Sequence, residues 1–206
     1  MLIELHPNNL DERKLKQITD CLAAGGVIIY PTDAVYSIGC DLNNSKAIEK
    51  VARLKGIPAE KANFSLVCED LSHLSEFCKP INNTVYKLMK RALPGPYTFI
   101  LDANTQVPKI FKSKKKTIGI RVPDHIVPRE IVRLLGRPII ATSVHDDDDV
   151  IEYTTDPELI HERYKDKVDI VVSCGIGNIE ASTIIDCTGG EPEVIRLGRG
   201  PIEGLM

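Results

Sequence analysis

The segment from Gly25 to Asp41, GGVIIYPTDAVYSIGCD, constrains the fold of this chain more than any other stretch. Val27 to Tyr30 form an unbroken apolar and aromatic run, rich in β-branched residues, which is typical of a strand buried on both faces. Pro31 ends that strand because it has no N–H to donate. Thr32 and Asp33 then stand at its carboxyl end, where open α/β sheets bind ligands. The segment predicts either a small-molecule site or a polar turn that closes a core strand.

Helical and strand patterns alternate along the rest of the chain, and residues 32–41 are predicted as a loop. Helices are predicted from Asn8 or Asn9 to Gly25, over Ser45–Lys55 and Asp70–Phe77, from Asn82 or Asn83 through Ala92, and over His125–Leu135 and Asp156–Tyr164. Strands are predicted at Leu2–Leu5, Val27–Tyr30, Asn63–Cys68, Tyr97–Leu101, Thr117–Val122, Pro138–Ser143, Val168–Ser173, Ser182–Cys187 and Glu193–Leu197. This order predicts an α/β fold, with residues 1–206 forming a single domain: a twisted mixed sheet with helices packed on it.

Length, charge and cysteine content narrow the class of protein. The 206 residues suit one domain, and the formal net charge of −3 excludes an overall basic field for nucleic acid. No apolar run approaches the roughly 18 residues that a membrane span requires, and no signal-peptide pattern opens the chain. The six cysteines are scattered, as in a protein with reduced thiols. A cytoplasmic location is therefore expected.

Several familiar catalytic and metal-binding patterns are missing from the sequence. It contains no phosphate-binding P-loop, no serine-hydrolase elbow and no two histidines at metal-ligand spacing, so no metal site is predicted. The acidic run from His145 to Asp149 fits a solvated loop or a loop that holds a divalent cation. The basic run from Lys112 to Lys116 fits a solvated loop or a contact with RNA phosphates.

Short segments taken together resemble the YrdC/YciO family of threonylcarbamoyl-AMP synthase-like proteins. They follow the family's order and span nearly the whole chain, which makes the set specific although each segment alone is weak. NFSLVC (63–68) and TFIL (98–101) resemble the YciO branch in particular. The segments are GGVIIYPTDAVY (25–36), KGIP (55–58), PGPYT (94–98), IGIRVP (118–123), ATS (141–143), STIID (182–186) and IRLG (195–198).

The resemblance implies a basic concave face on the α/β fold and an ATP-dependent reaction. ATP, L-threonine and bicarbonate would give threonylcarbamoyl-adenylate and pyrophosphate, and the product would serve the modification of a tRNA adenosine. Mg²⁺ is expected to accompany ATP by bridging its phosphate oxygens, and no tightly bound cofactor is implied. The basic face would contact tRNA or double-stranded RNA. The alternative is a relative that binds a nucleotide such as AMP, and double-stranded RNA, without catalysis.

The resemblance also assigns roles by motif position. Attack of threonine carbamate on the α-phosphate of ATP needs alignment and charge neutralisation more than a covalent nucleophile. The implied threonine-binding residues are Thr32, Tyr36, Arg121, Thr142 and Ser182, with Arg121 clamping the carboxylate. The implied catalytic residues are Lys55 and Ser143, which together with Arg196 would contact the nucleotide. Without the resemblance, Lys55 also fits a helix-terminal cation, Arg121 a surface ion pair and Ser182 an ordinary strand residue.

Four positions depart from the pattern of the synthases. Ser37 stands where a glycine is usual, Ile57 where an arginine is, Cys68 where a histidine is and His145 where an asparagine is. A charged hydrogen bond to phosphate is worth about 1.5–3 kcal/mol, so loss of the arginine alone predicts a rate lower by about ten- to a hundredfold. The sequence therefore predicts a preserved substrate pocket with weakened chemistry.

Overall fold

The computed structural model describes residues 1–59, 62–72, 74–107, 116–144 and 154–205. The acidic run 145–149 lies outside these ranges, and so does the basic run 112–116 except for Lys116. The strands are β1 Leu2–Glu4, β2 Val27–Tyr30, β3 Ser37–Asp41, β4 Ser65–Val67, β5 Tyr97–Asp102, β6 Thr117–Arg121, β7 Ile139–Ser143, β8 Ile170–Ser173, β9 Thr183–Asp186 and β10 Glu193–Arg196. The helices are α1 Glu12–Ala23, α2 Ser45–Leu54, α3 Asn83–Ala92, α4 Ile126–Leu135 and α5 Pro157–Tyr164.

All these strands join one mixed sheet in the order β1-β8-β2-β3-β7-β4-β6-β5-β9-β10. Four neighbouring pairs are parallel, namely β1–β8, β8–β2, β4–β6 and β5–β9, and the other five are antiparallel. The predicted mixed α/β sheet is therefore confirmed. The single domain over 1–206 and the basic concave face stay predictions.

Helices cover the two faces of the sheet unequally. On one face, α1 and α4 pack over residues such as Ile28, Val67 and Ile139, and together they form one apolar core. On the opposite face, α2, α3 and α5 cover a larger core that includes Ile29, Leu66 and further residues of the same strands. Because side chains alternate along a strand, neighbouring residues such as Leu66 and Val67 belong to different cores. Below, the first side is called the α1/α4 face.

The sequence-based prediction of a loop over 32–41 is wrong in its second half. Ser37–Asp41 forms β3, which pairs antiparallel with both β2 and β7 in the middle of the sheet. Gly39 and two polar residues interrupt its apolar pattern and hide the strand signal. Gly39 is required there, because a Cβ atom would lie 2.5 Å from the carbonyl oxygen of Ile140. The binding loop suggested by the sequence is therefore the connection at 31–36, which joins β2 and β3 in a β-hairpin.

Several helix ends follow the predicted signals and two differ. Asn44, Asn82 and Asp156 accept hydrogen bonds from the first turns of α2, α3 and α5, as predicted. The cap of α1 is Asp11, whose side chain accepts from two backbone N–H groups, and not Asn8 or Asn9. The helix predicted over Asp70–Phe77 is also wrong in extent, because a short 3-10 turn at Leu74–Glu76 replaces it.

Two further properties bear on the class of protein. Among the described helices, none has the length and apolar character that crossing a bilayer demands. The six cysteines are free thiols, and burial raises the pKa of Cys68 and Cys78 to about 12. These two groups are therefore neutral thiols at physiological pH and poor nucleophiles.

Candidate active site

A polar cavity opens on the α1/α4 face where the two helices no longer cover the sheet. Ser37 on β3 lies opposite Ser143 on β7, and Ser65 on β4 lies opposite Gly119 on β6. Two residues further along β6, Arg121 lies opposite Val67, which is still covered by the apolar core. Because side chains alternate between the two faces of a strand, these residues share the α1/α4 face with Val67, and at the open part of that face they are small or polar.

The cavity has a volume of about 110 Å³. That is well below the roughly 300–1,000 Å³ of pockets for drug-sized ligands, and it suits a molecule of amino-acid size. Gly119 creates part of this space, because a Cβ there would lie 2.7 Å from the Ser65 hydroxyl oxygen. The lining residues are Val35, Ser37, Asn63, Ser65, Thr98, Arg121, Ala141, Thr142, Ser143, Ala181, Ser182, Ile184 and Arg196.

Five of the residues singled out from the sequence meet at this cavity although they lie far apart in the chain. Arg121 comes from the end of β6, and Thr142 and Ser143 come from the end of β7. Ser182 immediately precedes β9, and Arg196 ends β10. All five line the cavity. Their roles toward a ligand stay predictions, but the sheet brings them to one place.

Thr32 does not line the cavity. Its buried hydroxyl donates to the carbonyl oxygen of Val35 at 2.8 Å and accepts from the N–H of Ala34 at 2.9 Å. Both bonds are local, so the side chain stabilises the turn after β2. The threonine-binding role implied for Thr32 is a prediction that this geometry leaves without a direct contact to the cavity.

Tyr36 is fully buried and also lies outside the cavity lining. Its hydroxyl donates to the carbonyl oxygen of Gly175 at 2.8 Å and accepts from the N–H of Cys174 at 3.3 Å. Gly177 packs against its ring so closely that a Cβ would come within 2.6 Å of a ring carbon. Tyr36 therefore fastens the 174–177 loop, and burial raises the pKa of its phenol to about 12.

Lys55 caps the C-terminal end of α2 and is half-buried. It does not line the cavity. A cation at this position is favoured by the negative end of the helix dipole, as the residue pattern alone allows. Its assignment to ATP phosphates stays a prediction.

Arg121 is held by a buried ion pair. One guanidinium nitrogen, Nη2, donates to Asp33 Oδ1 at 3.1 Å, and the two side chains are only 7% and 8% exposed. The Nε atom of Arg121 is buried and has no hydrogen-bond partner among the described residues. A guanidinium carries five N–H donors. The pair with Asp33 therefore leaves donors of Arg121 available to a ligand in the cavity.

Arg196 is fixed by backbone instead of a carboxylate. Its Nη2 and Nε donate to the carbonyl oxygen of Ser182 at 2.7 and 3.2 Å. The hydroxyls of Ser182 and Thr98 share a hydrogen bond of 2.8 Å beneath it. Burial of the Arg196 guanidinium lowers its pKa, and the nearby charge of Arg121 lowers it further. Two neighbouring cations against one carboxylate leave this site with an excess positive charge, which an anionic ligand relieves.

Hydroxyl groups supply the remaining polar surface of the cavity. The hydroxyls of Ser37, Ser65, Thr142 and Ser143 line it, and none hydrogen-bonds to another described residue. Such groups can donate or accept as a ligand requires. Together with the arginines, they form a polar surface that can contact a small anion with hydroxyl or amino groups.

The described residues contain no group of three or more His, Cys, Asp and Glu side chains that could hold a metal ion. The donors at the cavity are guanidinium N–H groups and neutral hydroxyls, which suit anions better than divalent cations. The expected Mg²⁺ would be carried by the phosphate oxygens of ATP.

The four positions that depart from the synthase pattern differ in their relation to the cavity. Ser37 lines the cavity, so its side chain occupies space that a glycine would leave open. Ile57 and Cys68 do not line it: Ile57 is 40% exposed, and Cys68 is buried, with its N–H bonded to the carbonyl oxygen of Arg121. His145 lies outside the described residues. The changes at 57 and 68 thus leave the cavity wall intact.

Four polar lining residues received no role from the sequence: Ser37, Asn63, Ser65 and Thr98. Asp33, the partner of Arg121, was noticed at the end of β2 but not assigned to the site. Its position two residues after Pro31 and an arginine near the end of another predicted strand were the available signals. Strand order, which a single sequence does not determine, is what joins them.

Comparison with known proteins agrees with the residue segments. The protein-family model for Sua5, YciO and YrdC, described as telomere recombination, matches residues 20–198. YciO of Escherichia coli K12, an uncharacterized protein, is 37% identical over 204 residues, covering 98% of this chain and 97% of its own. A threonylcarbamoyl-AMP synthase of Marinobacter nauticus is 34% identical over 174 residues, covering 82% of this chain and 88% of its own.

Solved structures show the same architecture. The crystal structure of E. coli YciO superposes with a TM-score of 0.91 at 36% identity, covering 100% of this chain and 99% of that one. The crystal structure of P. abyssi Sua5 complexed with L-threonine superposes with a TM-score of 0.88 at 25% identity, covering all of this chain and 59% of that longer one. With matching motifs, a matching family model and this shared fold, the chain belongs to the Sua5/YciO/YrdC family.

Proposed function

We propose that the protein binds L-threonine in the polar cavity and, with bicarbonate and ATP, forms threonylcarbamoyl-adenylate and pyrophosphate. The observation that carries the proposal is the meeting of Arg121, Arg196 and uncommitted hydroxyls around a cavity of about 110 Å³. A related protein of the same fold is known in complex with L-threonine. Another relative is a threonylcarbamoyl-AMP synthase.

The amino-acid half of the reaction is assigned to the cavity. Arg121 donates to the threonine carboxylate through the terminal N–H groups that Asp33 leaves open. The hydroxyls of Thr142 and Ser182, on neighbouring parts of the wall, contact the amino acid's polar groups. A ligand with one carboxylate matches the excess positive charge of the site, because it adds one negative charge beside two arginines.

The nucleotide half follows from the chemistry of the carbamate. The threonine amine and bicarbonate form a carbamate with loss of water, and a carbamate oxygen then attacks the α-phosphorus of ATP. The bond from that phosphorus to the bridging oxygen breaks, and pyrophosphate leaves with the electron pair. Arg196, Ser143 and Lys55 are assigned to the phosphate charge, and Mg²⁺ carried by ATP would neutralise part of that charge.

The reaction is tested by incubating the protein with ATP, Mg²⁺, L-threonine and ¹⁴C-bicarbonate. Labelled threonylcarbamoyl-adenylate is expected, and it should vanish when threonine or ATP is omitted. Arg121→Lys keeps the positive charge but loses the fork, so the KM for threonine should rise about tenfold or more, equivalent to about 1.4 kcal/mol. Arg133→Lys changes an arginine paired with Glu130 on the surface of α4 and serves as the matched control.

Binding without turnover is the second candidate. It is favoured by an exposed apolar side chain at Ile57, where the synthases have an arginine, and by the neutral thiol of Cys68. Absence of labelled product together with calorimetric binding of threonine or AMP would select it. Absence of both product and threonine binding would contradict the assignment of the cavity itself.

A contact with tRNA or double-stranded RNA, if made by charged residues, should weaken steeply with salt in a gel-shift titration.

A further inference from the structure

We propose that Asp33 is a positioning residue that sets the direction in which Arg121 presents its guanidinium to the cavity. The inference deepens the proposed function and rests on it, since it names the group that makes the threonine clamp selective for one orientation of a carboxylate. Asp33 itself does not line the cavity, so it acts through Arg121.

The ion pair between Asp33 and Arg121 fixes the orientation of the guanidinium in addition to balancing its charge. Asp33 Oδ1 receives the Nη2 of Arg121 at 3.1 Å, while Oδ2 receives the backbone N–H of Asp124 at 2.8 Å. Among the described residues, Asp33 is the sole carboxylate within 4.0 Å of this guanidinium. Each carboxylate oxygen thus has a separate partner, which prevents the carboxylate from rotating relative to the chain after β6.

The backbone around Asp33 is fastened as well. Thr32 closes the turn that contains Asp33 through its two local hydrogen bonds, to Ala34 and Val35. The side-chain amide of Asn178 donates to the carbonyl oxygen of Asp33 at 3.4 Å. Asp33 therefore contacts two other segments, at Asp124 before α4 and at Asn178 after β8. These contacts fix the position of the carboxylate that holds Arg121.

Arg121 has N–H groups that Asp33 does not engage, and these are the groups that a ligand would contact. A buried arginine that served only the fold would be expected to satisfy all its N–H groups, yet Nε has no partner among the described residues. Since Asp33 engages Nη2, the guanidinium is held at that end, and Nη1, which has no hydrogen bond to a described residue, is left for a ligand in the cavity that Arg121 lines. A displacement of about 1 Å in such a group can cost about a hundredfold in catalysis, so the anchor matters as much as the clamp.

Asp33→Asn tests this role, because an amide can still accept from Arg121 but cannot accept from the Asp124 N–H at the same time. Calorimetry should give a Kd for threonine about tenfold or more above wild type, with the KM for ATP nearly unchanged. Asp33→Glu retains the charge and lengthens the side chain by one methylene, so it should fold and also bind threonine more weakly. Wild-type affinity in both variants would overturn the proposal.

A second readout does not depend on threonine. In ¹⁵N-arginine-labelled protein, the Nε–H signal of Arg121 should be ordered in the wild type and become mobile in Asp33→Asn, as measured by the heteronuclear Overhauser effect. Asp41→Asn is the matched control, since it removes the carboxylate of another Asp–Arg pair, with Arg137, outside the cavity. It should mobilise Arg137 and leave Arg121 unchanged. An Arg121 signal that stays ordered without Asp33 would contradict the positioning role.

The two readouts separate the failure of this inference from failure of the proposed function. If wild type does not bind threonine but the Arg121 signal responds to Asp33→Asn, the proposed substrate is wrong and the positioning role holds. If wild type binds threonine and neither readout responds, the positioning role is wrong and the proposed function stands.

Discussion

At the scale of single residues, the site depends on two properties. Some residues are small enough to leave space for a ligand, and others carry polar groups that can hydrogen-bond to it. Gly119 shows the first property and the uncommitted hydroxyl of Ser65, across the strand pair, shows the second. Arg121 combines a buried anchor with an open donor. The sequence motifs identified Arg121 but not its partner, because a contact between residues 88 positions apart depends on strand order and not on local pattern.

Gly119→Ala should therefore reduce threonine binding without removing any polar group. The new methyl group would lie 2.7 Å from the Ser65 hydroxyl oxygen and 3.2 Å from a methyl carbon of Thr98. It would crowd the floor of the cavity, and overpacking of this kind costs about 1–3 kcal/mol. We expect a Kd for threonine raised about tenfold, measured by calorimetry.

Gly189→Ala is the control for that substitution. A Cβ at this glycine meets no atom within 4 Å, and its backbone does not require glycine. It should bind threonine as wild type does. Equal affinities of the Gly119 and Gly189 variants would show that the ligand does not reach the floor of the cavity.

At the scale of elements, the helices were largely predictable and one central strand was not. Helix caps are local signals, so Asn44, Asn82 and Asp156 could be found from the sequence alone. β3 lacks such a signal, because its core side chains alternate with Ser37, Gly39 and Asp41. Two of those three face the cavity or admit close backbone contact, so the same residues that make the site hide the strand.

The histidine at the start of α4 makes the stability of the protein depend on pH. His125 is its N-cap, and its Nδ1 accepts the backbone N–H of Val127 at 3.3 Å. Burial lowers the pKa of His125 from 6.5, an effect that the charges of Asp33 and Asp124 oppose only in part. The unfolded chain therefore binds more protons than the folded one below about pH 6.5, so this group's contribution to stability is full above that pH and is lost as the pH falls through the lowered pKa.

His125→Asn should flatten this dependence, since an asparagine caps the helix without titrating. We expect the urea midpoint of wild type to fall more than that of the variant between about pH 7.5 and about pH 5. His6→Asn, at an exposed histidine outside α4, should keep the wild-type slope. Parallel curves for wild type and His125→Asn would refute the coupling.

At the scale of the whole molecule, the polar cavity results from incomplete coverage of one sheet face by helices. α1 and α4 bury part of the α1/α4 face, and the open remainder carries the cavity and its two arginines. The α/β class and the mixed sheet were predictable from alternating helix and strand patterns. The meeting of Arg121, Ser143, Ser182 and Arg196 was implied only by resemblance to a family, because strand order follows from packing of the whole chain.

The central claim is that this cavity receives the carboxylate of an amino acid. The most direct measurement is a crystal structure of the protein grown with L-threonine. The account predicts the threonine carboxylate within hydrogen-bonding distance, about 3 Å, of the Arg121 guanidinium, with the Asp33 pair intact. Threonine bound away from Arg121, or an empty cavity at concentrations that saturate binding in solution, would contradict it.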